Sequence, residues 1–401
     1  MASHEIYMHR CLELAQLAAG NVAPNPMVGA VLVYEDRIVG EGYHRQYGRA
    51  HAEPDCIASV KSEDKHLIEQ STLYVSLEPC AHFGKTPPCA DLIIEKKIPK
   101  VVIGCRDPFV QVNGKGIEKL KAAGIEVEAG ILENKCKELN KRFFTFHTKH
   151  RPYVILKWAQ TLDGKIAAPL ISQGEGNDTQ PSLNQSSNDA SGVPESEKGA
   201  MDNSRLGGRE AMPRFYISNE FTNRIVHKWR SEEMAIAVGT NTALYDDPEL
   251  TTRLWKGKNP VRIVVDMDLR LPKSLKLFNS KTPTIVFNTK EHSLPLEKKS
   301  VKELKEMGVG YYQITHDVSL VHQMMNALYS MDIQSVMVEG GAYLLQSFID
   351  EGIWDEARVI TNEQLVIGNG LPAPVLKDHD LTNTEQIFSD IIRIYKNRKE
   401  N

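Results

Sequence analysis

Three potential metal ligands, His51, Cys80 and Cys89, constrain the fold of this chain more than any other feature of its sequence. If they bind one ion, the fold must bring together segments that lie far apart along the chain. One imidazole and two thiolates leave a fourth coordination position open, which is typical of catalytic rather than structural zinc sites. Pro87 and Pro88 end any preceding helix and allow a new one to begin at Cys89. The set therefore predicts one zinc ion per chain, bound by these three residues.

Glu53 follows His51 by two positions, so its side chain leaves a helix in a different direction. A carboxylate there can accept a proton from a water molecule and deliver it to a leaving amine. Each residue alone has a simpler interpretation, because Cys80 and Cys89 could be core thiols and His51 a hydrogen-bonded core histidine. Together, H-x-E followed by P-C and a further Cys match the zinc deaminase signature, with Glu53 as the catalytic residue. The spacing departs from the usual C-x-x-C, because residues 81–88 separate the two cysteines.

The composition is that of an ordinary globular protein, with 401 residues, 41% of them hydrophobic and 25% charged. At about 150 residues per domain, this length suggests two or three domains. The formal net charge of -4 argues against a large non-specific nucleic-acid binder, and no apolar run reaches the roughly 18 residues of a membrane span. No signal-peptide pattern begins the sequence, so we expect a cytoplasmic protein without disulfides. The remaining cysteines, Cys11, Cys56, Cys105 and Cys136, are expected to be structural.

Strand and helix patterns alternate along the first part of the chain, which predicts a layered α/β domain. We expect helices at about 5–19, 51–60, 90–97, 116–123 and 132–148, and strands at about 28–33, 38–43, 72–75, 101–104 and 125–129. Arg151-Pro152 then interrupts the pattern, and this predicts two domains, at 1–148 and 149–401.

The second part alternates again, which predicts another α/β domain with a mostly parallel sheet. Expected strands lie at about 153–158, 234–238, 261–266, 284–287, 310–314, 335–338 and 357–360, and helices at about 219–230, 319–330 and 342–351. Residues 169–213 contain no aromatic residue and are rich in Gly, Ser, Asn, Asp, Pro and Gln, so we expect a flexible insertion. The insertion could be passive or could act as a substrate lid.

Residues 76–89, SLEPCAHFGKTPPC, resemble the deaminase half of the bifunctional riboflavin-biosynthesis deaminase/reductases. So do residues 24–31, where the family pattern is PNPxVGxV, together with residues 106–108 and 113–116. The resemblance covers roughly residues 5–147 and implies a cytidine-deaminase-like fold. It also implies hydrolytic deamination of 2,5-diamino-6-ribosylamino-pyrimidinone 5′-phosphate, a small phosphorylated pyrimidine.

This resemblance implies a set of substrate-binding residues, namely Asn25, His44, His82, Lys85 and Asp107. Asn25 offers both a donor and an acceptor to a pyrimidine edge, and His82 and Lys85 can meet a phosphate or a ring oxygen. Asn25 could equally be a turn residue, and Lys85 a solvated loop charge.

Residues 151 to about 395 resemble the reductase half of the same family, through segments at 151–159, 162–167, 237–242, 246–253, 260–266 and 338–341. The implied fold is dihydrofolate-reductase-like and the implied cofactor is NADPH, which would reduce the ribosyl side chain to ribityl. The implied substrate-binding residues are Lys157, Asp246, Leu250 and Arg253, and the implied cofactor-binding residues are Trp158, Ser218, Gly239, Thr240, Thr242, Glu339, Gly340 and Gly341. Gly340 and Gly341 would let the backbone approach a pyrophosphate at a helix N-terminus, although such glycines also make simple turns.

Two other functions stay open on the sequence alone. The chain could be a zinc nucleoside or tRNA deaminase with a non-catalytic second domain, or a zinc-stabilised binding protein. The family resemblance favours a homo-oligomeric enzyme that binds neither nucleic acid nor membrane.

Overall fold

A computed structural model describes residues 4–83, 87–168, 216–292, 296 and 301–400. The predicted insertion at 169–213 and the predicted substrate residue Lys85 lie outside these residues. Within the described part of the chain, no helix is both long enough and apolar enough to cross a lipid bilayer.

The first half is a five-stranded sheet with helices on both faces, in the strand order β2-β1-β3-β4-β5. Its helices are α1 (His4–Gln16), α2 (Ala52–Ala58), α3 (Cys89–Glu95), α4 (Lys115–Ala122), α5 (Glu133–Leu139) and α6 (Lys141–Lys149), with a 3₁₀ helix at Ser62–Gln70. Its strands are β1 (Gly29–Tyr34), β2 (Arg37–Tyr43), β3 (Thr72–Leu77), β4 (Lys100–Cys105) and β5 (Glu126–Ala129). β1 is antiparallel to β2 and β3, whereas β3, β4 and β5 are parallel.

Two hydrophobic clusters cover the two faces of this sheet, because successive strand side chains point to opposite sides. Val31 and Val33 of β1 pack with Met8 of α1, whereas Leu32 packs with Ile93 of α3. The four cysteines expected to be structural are all buried in these clusters. The predicted α/β layers of this half are thereby confirmed.

The second half contains a nine-stranded sheet in the order β11-β10-β9-β8-β12-β6-β13-β16-β15. The strands of this half are β6 (Tyr153–Thr161), β7 (Lys165–Ala167), β8 (Ala235–Gly239), β9 (Val261–Val265), β10 (Thr284–Asn288), β11 (Val309–Gln313), β12 (Ser335–Val338), β13 (Glu356–Asn362), β14 (Leu371–Pro372), β15 (His379–Ile387) and β16 (Asp390–Asn397). Of these, β7 and β14 form a separate two-stranded sheet. The helices of this half are α7 (Glu220–Glu232), α8 (Thr240–Asp246), α9 (Val301–Met307), α10 (Leu320–Ser330) and α11 (Ala342–Asp350). In the order of the nine-stranded sheet, the seven strands from β11 through β13 are all parallel. At the other edge, β15 and β16 add an antiparallel hairpin, with β16 paired to β13.

The parallel sheet places the carboxyl ends of neighbouring strands side by side. β12 lies between β8 and β6, and its Val338 is paired with Ala237 and Leu156. Residues that follow β8 and β12 therefore meet Lys157 of β6 at one edge, where crevices for ligands form in open α/β sheets.

One predicted helix is wrong, because residues 132–148 form two helices instead of one. Asn140 separates α5 from α6 with φ −104° and ψ 23°, outside the helical range. Its side chain accepts from the Met27 N–H at 2.8 Å and donates to the Met27 carbonyl at 2.9 Å. This contact with a distant loop accounts for the break, and no local sequence pattern contains it. The hairpin of β15 and β16 was also not predicted.

Two ion pairs, each between a partly buried cation and a buried carboxylate, connect the halves. Arg142 of α6 donates from Nε to Glu233 at 2.8 Å, and Lys141 lies 2.6 Å from the carboxylate of Glu356. Glu356 also accepts from Arg358 at 2.6 Å. Paired in this way, charges from both halves can be buried together.

Candidate functional site

The structure brings the three predicted metal ligands together although they lie at the ends of three different elements. His51 precedes α2, Cys80 follows β3, and Cys89 is the first residue of α3. His51 Nδ1 lies 3.7 Å from Cys80 Sγ and 3.4 Å from Cys89 Sγ, and all three ligand atoms lie within 4.8 Å of one another. Tetrahedral zinc would space a nitrogen and a sulfur ligand by roughly 3.6 Å. The donor types and their spacing therefore fit zinc.

The cluster favours a thiolate at Cys80. A hydrogen bond from the Cys89 thiol lowers the pKa of Cys80, with a further contribution from His51. The backbone N–H of Cys89 also donates to Cys80 Sγ at 3.3 Å. A thiolate is the form in which cysteine binds metal.

Glu53 lies on α2, beside the ligands and buried with 3% of its surface exposed. Burial raises the pKa of its carboxyl, and the charge of Cys80 acts in the same direction. Interaction with the Cys89 side chain opposes these two effects on the pKa of Glu53. This predicted catalytic residue is therefore within reach of the ligand cluster without belonging to it.

Asn25 and His44 form a hydrogen-bonded pair next to His51. The His44 Nδ1 faces the Ala50 carbonyl at 2.8 Å, which places its proton there, so Nε2 accepts from Asn25 Nδ2 at 3.2 Å. Burial lowers the pKa of His44, which keeps the ring neutral. The rings of His44 and His51 lie 5.3 Å apart, edge to face. The structure thus places both predicted substrate residues beside the metal ligands.

His82 and Asp107 follow Cys80 in the sequence. Nδ1 of His82 is buried and has no hydrogen-bond partner among the described residues, as expected of a group that awaits a ligand. Burial raises the pKa of Asp107 to about 7, and the charges of Glu78 and Cys80 add to this.

The second candidate site lies at the carboxyl edge of the nine-stranded sheet, around Glu339. Arg230 of α7 donates to both oxygens of Glu339, and Lys157 Nζ lies 3.9 Å from the same carboxylate. Burial lowers the pKa of Lys157, and the Arg230 charge adds to this while Glu339 opposes it. Burial acts to raise the pKa of Glu339, but Arg230 and Lys157 together hold it below its usual range.

The predicted cofactor-binding glycines form a narrow turn beside this cluster. Gly341 has φ +80°, and a Cβ at Gly340 would lie 3.0 Å from the Thr242 side chain. A Cβ at Gly341 would lie 4.0 Å from the Gly239 Cα, and Thr240 begins α8 at the same edge. The segment of Gly340 and Gly341 and the segment of Gly239 and Thr240 are therefore neighbours, and their glycines leave backbone atoms free of side-chain cover.

The other predicted reductase residues differ in accessibility. Arg253 and Asp246 are exposed, and the Ser218 hydroxyl donates to Asn223 at 3.0 Å. The side chains of Trp158 and Leu250, in contrast, are 5% and 2% exposed and belong to the hydrophobic core. These two residues can touch a ligand only through their main chain.

Sequence reasoning missed four residues that lie in or around these sites. Glu78 lies inside the recognised segment 76–89 but received no role, although an acidic residue at the end of a buried strand was a usable signal. His227 and Arg230 occupy one face of α7, where a spacing of three residues marks side-by-side positions. Asn140 gave no signal of its own.

Comparisons with known proteins find relatives of both halves of the chain. Residues 152–386 match the family model of the RibD C-terminal domain, and residues 1–105 match the cytidine and deoxycytidylate deaminase zinc-binding region. The riboflavin biosynthesis protein RibD of Aquifex aeolicus is 39% identical over 367 residues, which cover 91% of this chain and 88% of that protein. The RibD of Bacillus amyloliquefaciens is 35% identical over 371 residues, which cover 92% of this chain and 87% of that protein.

A solved structure extends this similarity to the whole fold. The diaminohydroxyphosphoribosylaminopyrimidine deaminase/5-amino-6-(5-phosphoribosylamino)uracil reductase of Thermotoga maritima superposes with a TM-score of 0.76 at 34% identity, covering 98% of both chains. In both chains, a deaminase-like fold is therefore followed by a reductase-like fold.

Proposed function

This chain belongs to the RibD family of bifunctional riboflavin-biosynthesis deaminase/reductases, and from that premise we propose which of its residues perform each reaction. It combines a zinc-dependent deaminase with an NADPH-dependent reductase. We assign the deaminase to residues 1–148 and the reductase to residues 149–401. The boundary falls at the end of α6, before β6 begins.

In the deaminase, His51, Cys80 and Cys89 would hold the zinc ion. When bound, zinc supplies the positive charge that makes a water molecule nucleophilic near neutral pH. Glu53 accepts a proton from the water and returns it to the departing ring amine, because its carboxyl lies beside Cys89 without being a ligand. Its burial excludes bulk water from this transfer.

The pyrimidine phosphate is held by polar groups around the ligands. Asn25 contacts the pyrimidine edge, and its Nδ2 is oriented by the neutral His44. Nδ1 of His82, which has no hydrogen-bond partner among the described residues, and the buried carboxyl of Asp107 contribute further contacts. Lys85 follows His82 by three residues in the sequence and is proposed to meet the phosphate.

In the reductase, NADPH supplies the hydride and the chain supplies position and charge. The pyrophosphate of the cofactor is assigned to the turn of Gly340 and Gly341, opposite Thr240 and Thr242. Gly239 and Glu339 are assigned to the same cofactor edge, with main-chain contacts from Trp158 and a contact from Ser218.

The substrate of the reductase is assigned to the other side of this edge. Lys157 binds the oxygens of the ribosyl group, close to Glu339. The exposed Arg253 holds the phosphate, because a guanidinium can bind phosphate oxygens in pairs. Asp246 and the main chain of Leu250 complete the proposed contacts.

The observation that carries the deaminase proposal is the approach of three ligand atoms within 4.8 Å, with Glu53 buried beside them. The test is an ultraviolet assay with the diaminopyrimidine phosphate, with and without NADPH. Glu53→Gln should retain zinc and lose deamination, yet reduce deaminated substrate that is supplied separately. Lys157→Met should retain deamination and lose the reduction of supplied deaminated substrate.

Matched changes at exposed positions serve as controls, and Glu63→Gln and Lys256→Met should leave both reactions intact. If Glu53→Gln loses both reactions while it remains folded, the assignment of two separate sites is wrong.

A zinc nucleoside or tRNA deaminase with a non-catalytic second domain is not favoured, because the reductase half matches its own family model. We further propose a cytoplasmic homo-oligomer that binds neither nucleic acid nor membrane. Light scattering of the purified chain tests the oligomeric state.

A further inference from the structure

Glu78 presents a buried carboxylate to four backbone N–H groups. It follows β3 directly, two residues before the metal ligand Cys80, and is 4% exposed. Its Oε1 accepts from Gly116 at 3.0 Å and Ile117 at 3.3 Å. Its Oε2 accepts from Gly114 at 3.0 Å and from Asp107 at 3.3 Å. A carboxylate with this many donors is held in one orientation.

Three of these donors belong to the beginning of α4. The helix starts after Gly114, which has no side chain to cap it, and the first N–H groups of a helix have no partner inside the helix. The charge of Glu78 lies at the positive end of the helix dipole and satisfies those groups from another element. Through Glu78, the segment that follows β3 thereby holds the first turn of α4 in place.

The two segments also touch through their backbones. A Cβ at Gly116 would lie 2.0 Å from the Pro79 carbonyl, so only glycine allows the approach. The Glu78 N–H donates to the Cys105 carbonyl at 3.0 Å, just before Asp107. The turn that carries Cys80 and the segment that carries Asp107 are consequently held side by side.

We propose that Glu78 is a positioning residue of the deaminase, which holds residues 107–117 so that Asp107 faces the substrate. This inference rests on the substrate role proposed above for Asp107. Glu78 contacts neither substrate nor metal, and it acts through the backbone of the segment. Its loss should therefore weaken substrate binding more than it slows the chemical step.

The test is Glu78→Gln in the zinc-loaded enzyme. Each oxygen of Glu78 accepts two N–H groups, so either orientation of the glutamine amide turns its NH₂ towards two donors. We expect KM for the diaminopyrimidine phosphate to rise about tenfold, because a hydrogen bond to a charged group is lost. Zinc content, reductase activity and the kcat of deamination should stay close to those of the parent. Glu118→Gln, the same change at an exposed position of α4, is the matched control and should leave KM unchanged.

Hydrogen exchange gives a direct readout of the segment. Peptides that cover residues 106–117 should exchange about tenfold faster in Glu78→Gln, and not in Glu118→Gln. If Glu78→Gln does not fold, Glu78→Asp is measured in the same assays, because it keeps the charge and shortens the reach. Unchanged KM and unchanged exchange in the folded variant would overturn the proposal.

A double-mutant cycle separates positioning from general stabilisation. If Glu78 acts through Asp107, adding Glu78→Gln to Asp107→Ala should cause no further rise in KM. Additive effects would overturn the proposal. An unchanged KM in Asp107→Ala alone would instead contradict the substrate role of Asp107, so the two failures are distinguishable.

Discussion

Arg230 forms a two-point ion pair with Glu339, in which Nε and Nη2 donate to the two carboxylate oxygens at 2.8 and 2.6 Å. The third guanidinium nitrogen donates to the Thr251 carbonyl at 3.2 Å. One side chain of α7 therefore connects the glycine turn after β12 with the loop that carries Arg253. The proposed cofactor and substrate edges of the reductase are held together through this contact.

Replacing Arg230 should damage the reductase alone. Arg230→Met leaves the buried Glu339 with Lys157 as its nearest cation at 3.9 Å, and the glycine turn loses its tie to α7. We expect kcat/KM for reduction to fall about 100-fold, because small misplacements at a reactive centre cost this much. Deamination should be unchanged. Arg224→Met, at an exposed position of the same helix, is the control, and an equal loss there would contradict the prediction.

Removing one zinc ligand should separate the two activities. Cys80→Ser should reduce zinc content, measured by atomic emission, and abolish deamination, because a hydroxyl is a poor substitute for a thiolate ligand. Reduction of supplied deaminated substrate should persist. Cys56→Ala removes a thiol of the same half that lies in the core and should keep its zinc. Full zinc occupancy in folded Cys80→Ser would disprove the ligand assignment.

The contact of Asn140 with Met27 should matter for substrate binding by the deaminase. Asn140→Asp replaces the Nδ2 donor by an oxygen that faces the Met27 carbonyl, and this should destabilise the loop by about 1–3 kcal/mol. Because the loop also carries Asn25, KM for the diaminopyrimidine phosphate should rise. Asn134→Asp makes the same change at an exposed position of α5 and should have no effect on KM.

Acid should weaken the contact between the halves through Glu356. Burial acts to raise the pKa of this carboxyl, but Arg358 and Lys141 outweigh it and hold the pKa well below its usual range. A depressed pKa in the folded state contributes stability above the unfolded pKa, and this is lost as the pH falls towards the folded pKa. The parent should therefore lose stability relative to Glu356→Gln as the pH falls below about 5.

Denaturant unfolding at several pH values measures this difference. At neutral pH, Glu356→Gln should unfold more easily by roughly 3 kcal/mol, because the buried Arg358 loses its carboxylate partner and the partly buried Lys141 keeps only Glu138. Glu363→Gln, at an exposed position, should follow the parent at every pH. A difference between parent and Glu356→Gln that does not vary with pH would rule out this linkage.

The local pattern of the chain was sufficient to predict most elements. Apolar runs such as residues 153–158 and 335–338 became buried strands, because a run of this kind cannot stay in water. The metal ligands were also predictable, since His, Cys and Cys in this motif are chemically distinctive before any fold is known. The ligand cluster could therefore be located from the sequence itself, whereas the glycine turn was located through the family resemblance.

Only the tertiary structure decided which residues that are distant in the sequence contact one another. The break at Asn140, the cap that Glu78 gives α4 and the ion pair of Arg230 with Glu339 each join residues that are distant in sequence. An asparagine, a glutamate or an arginine has no preferred partner until packing removes water and leaves one within reach. The sequence by itself determined which chemistry the chain carries, and only the packed structure decided which polar groups hold that chemistry in place.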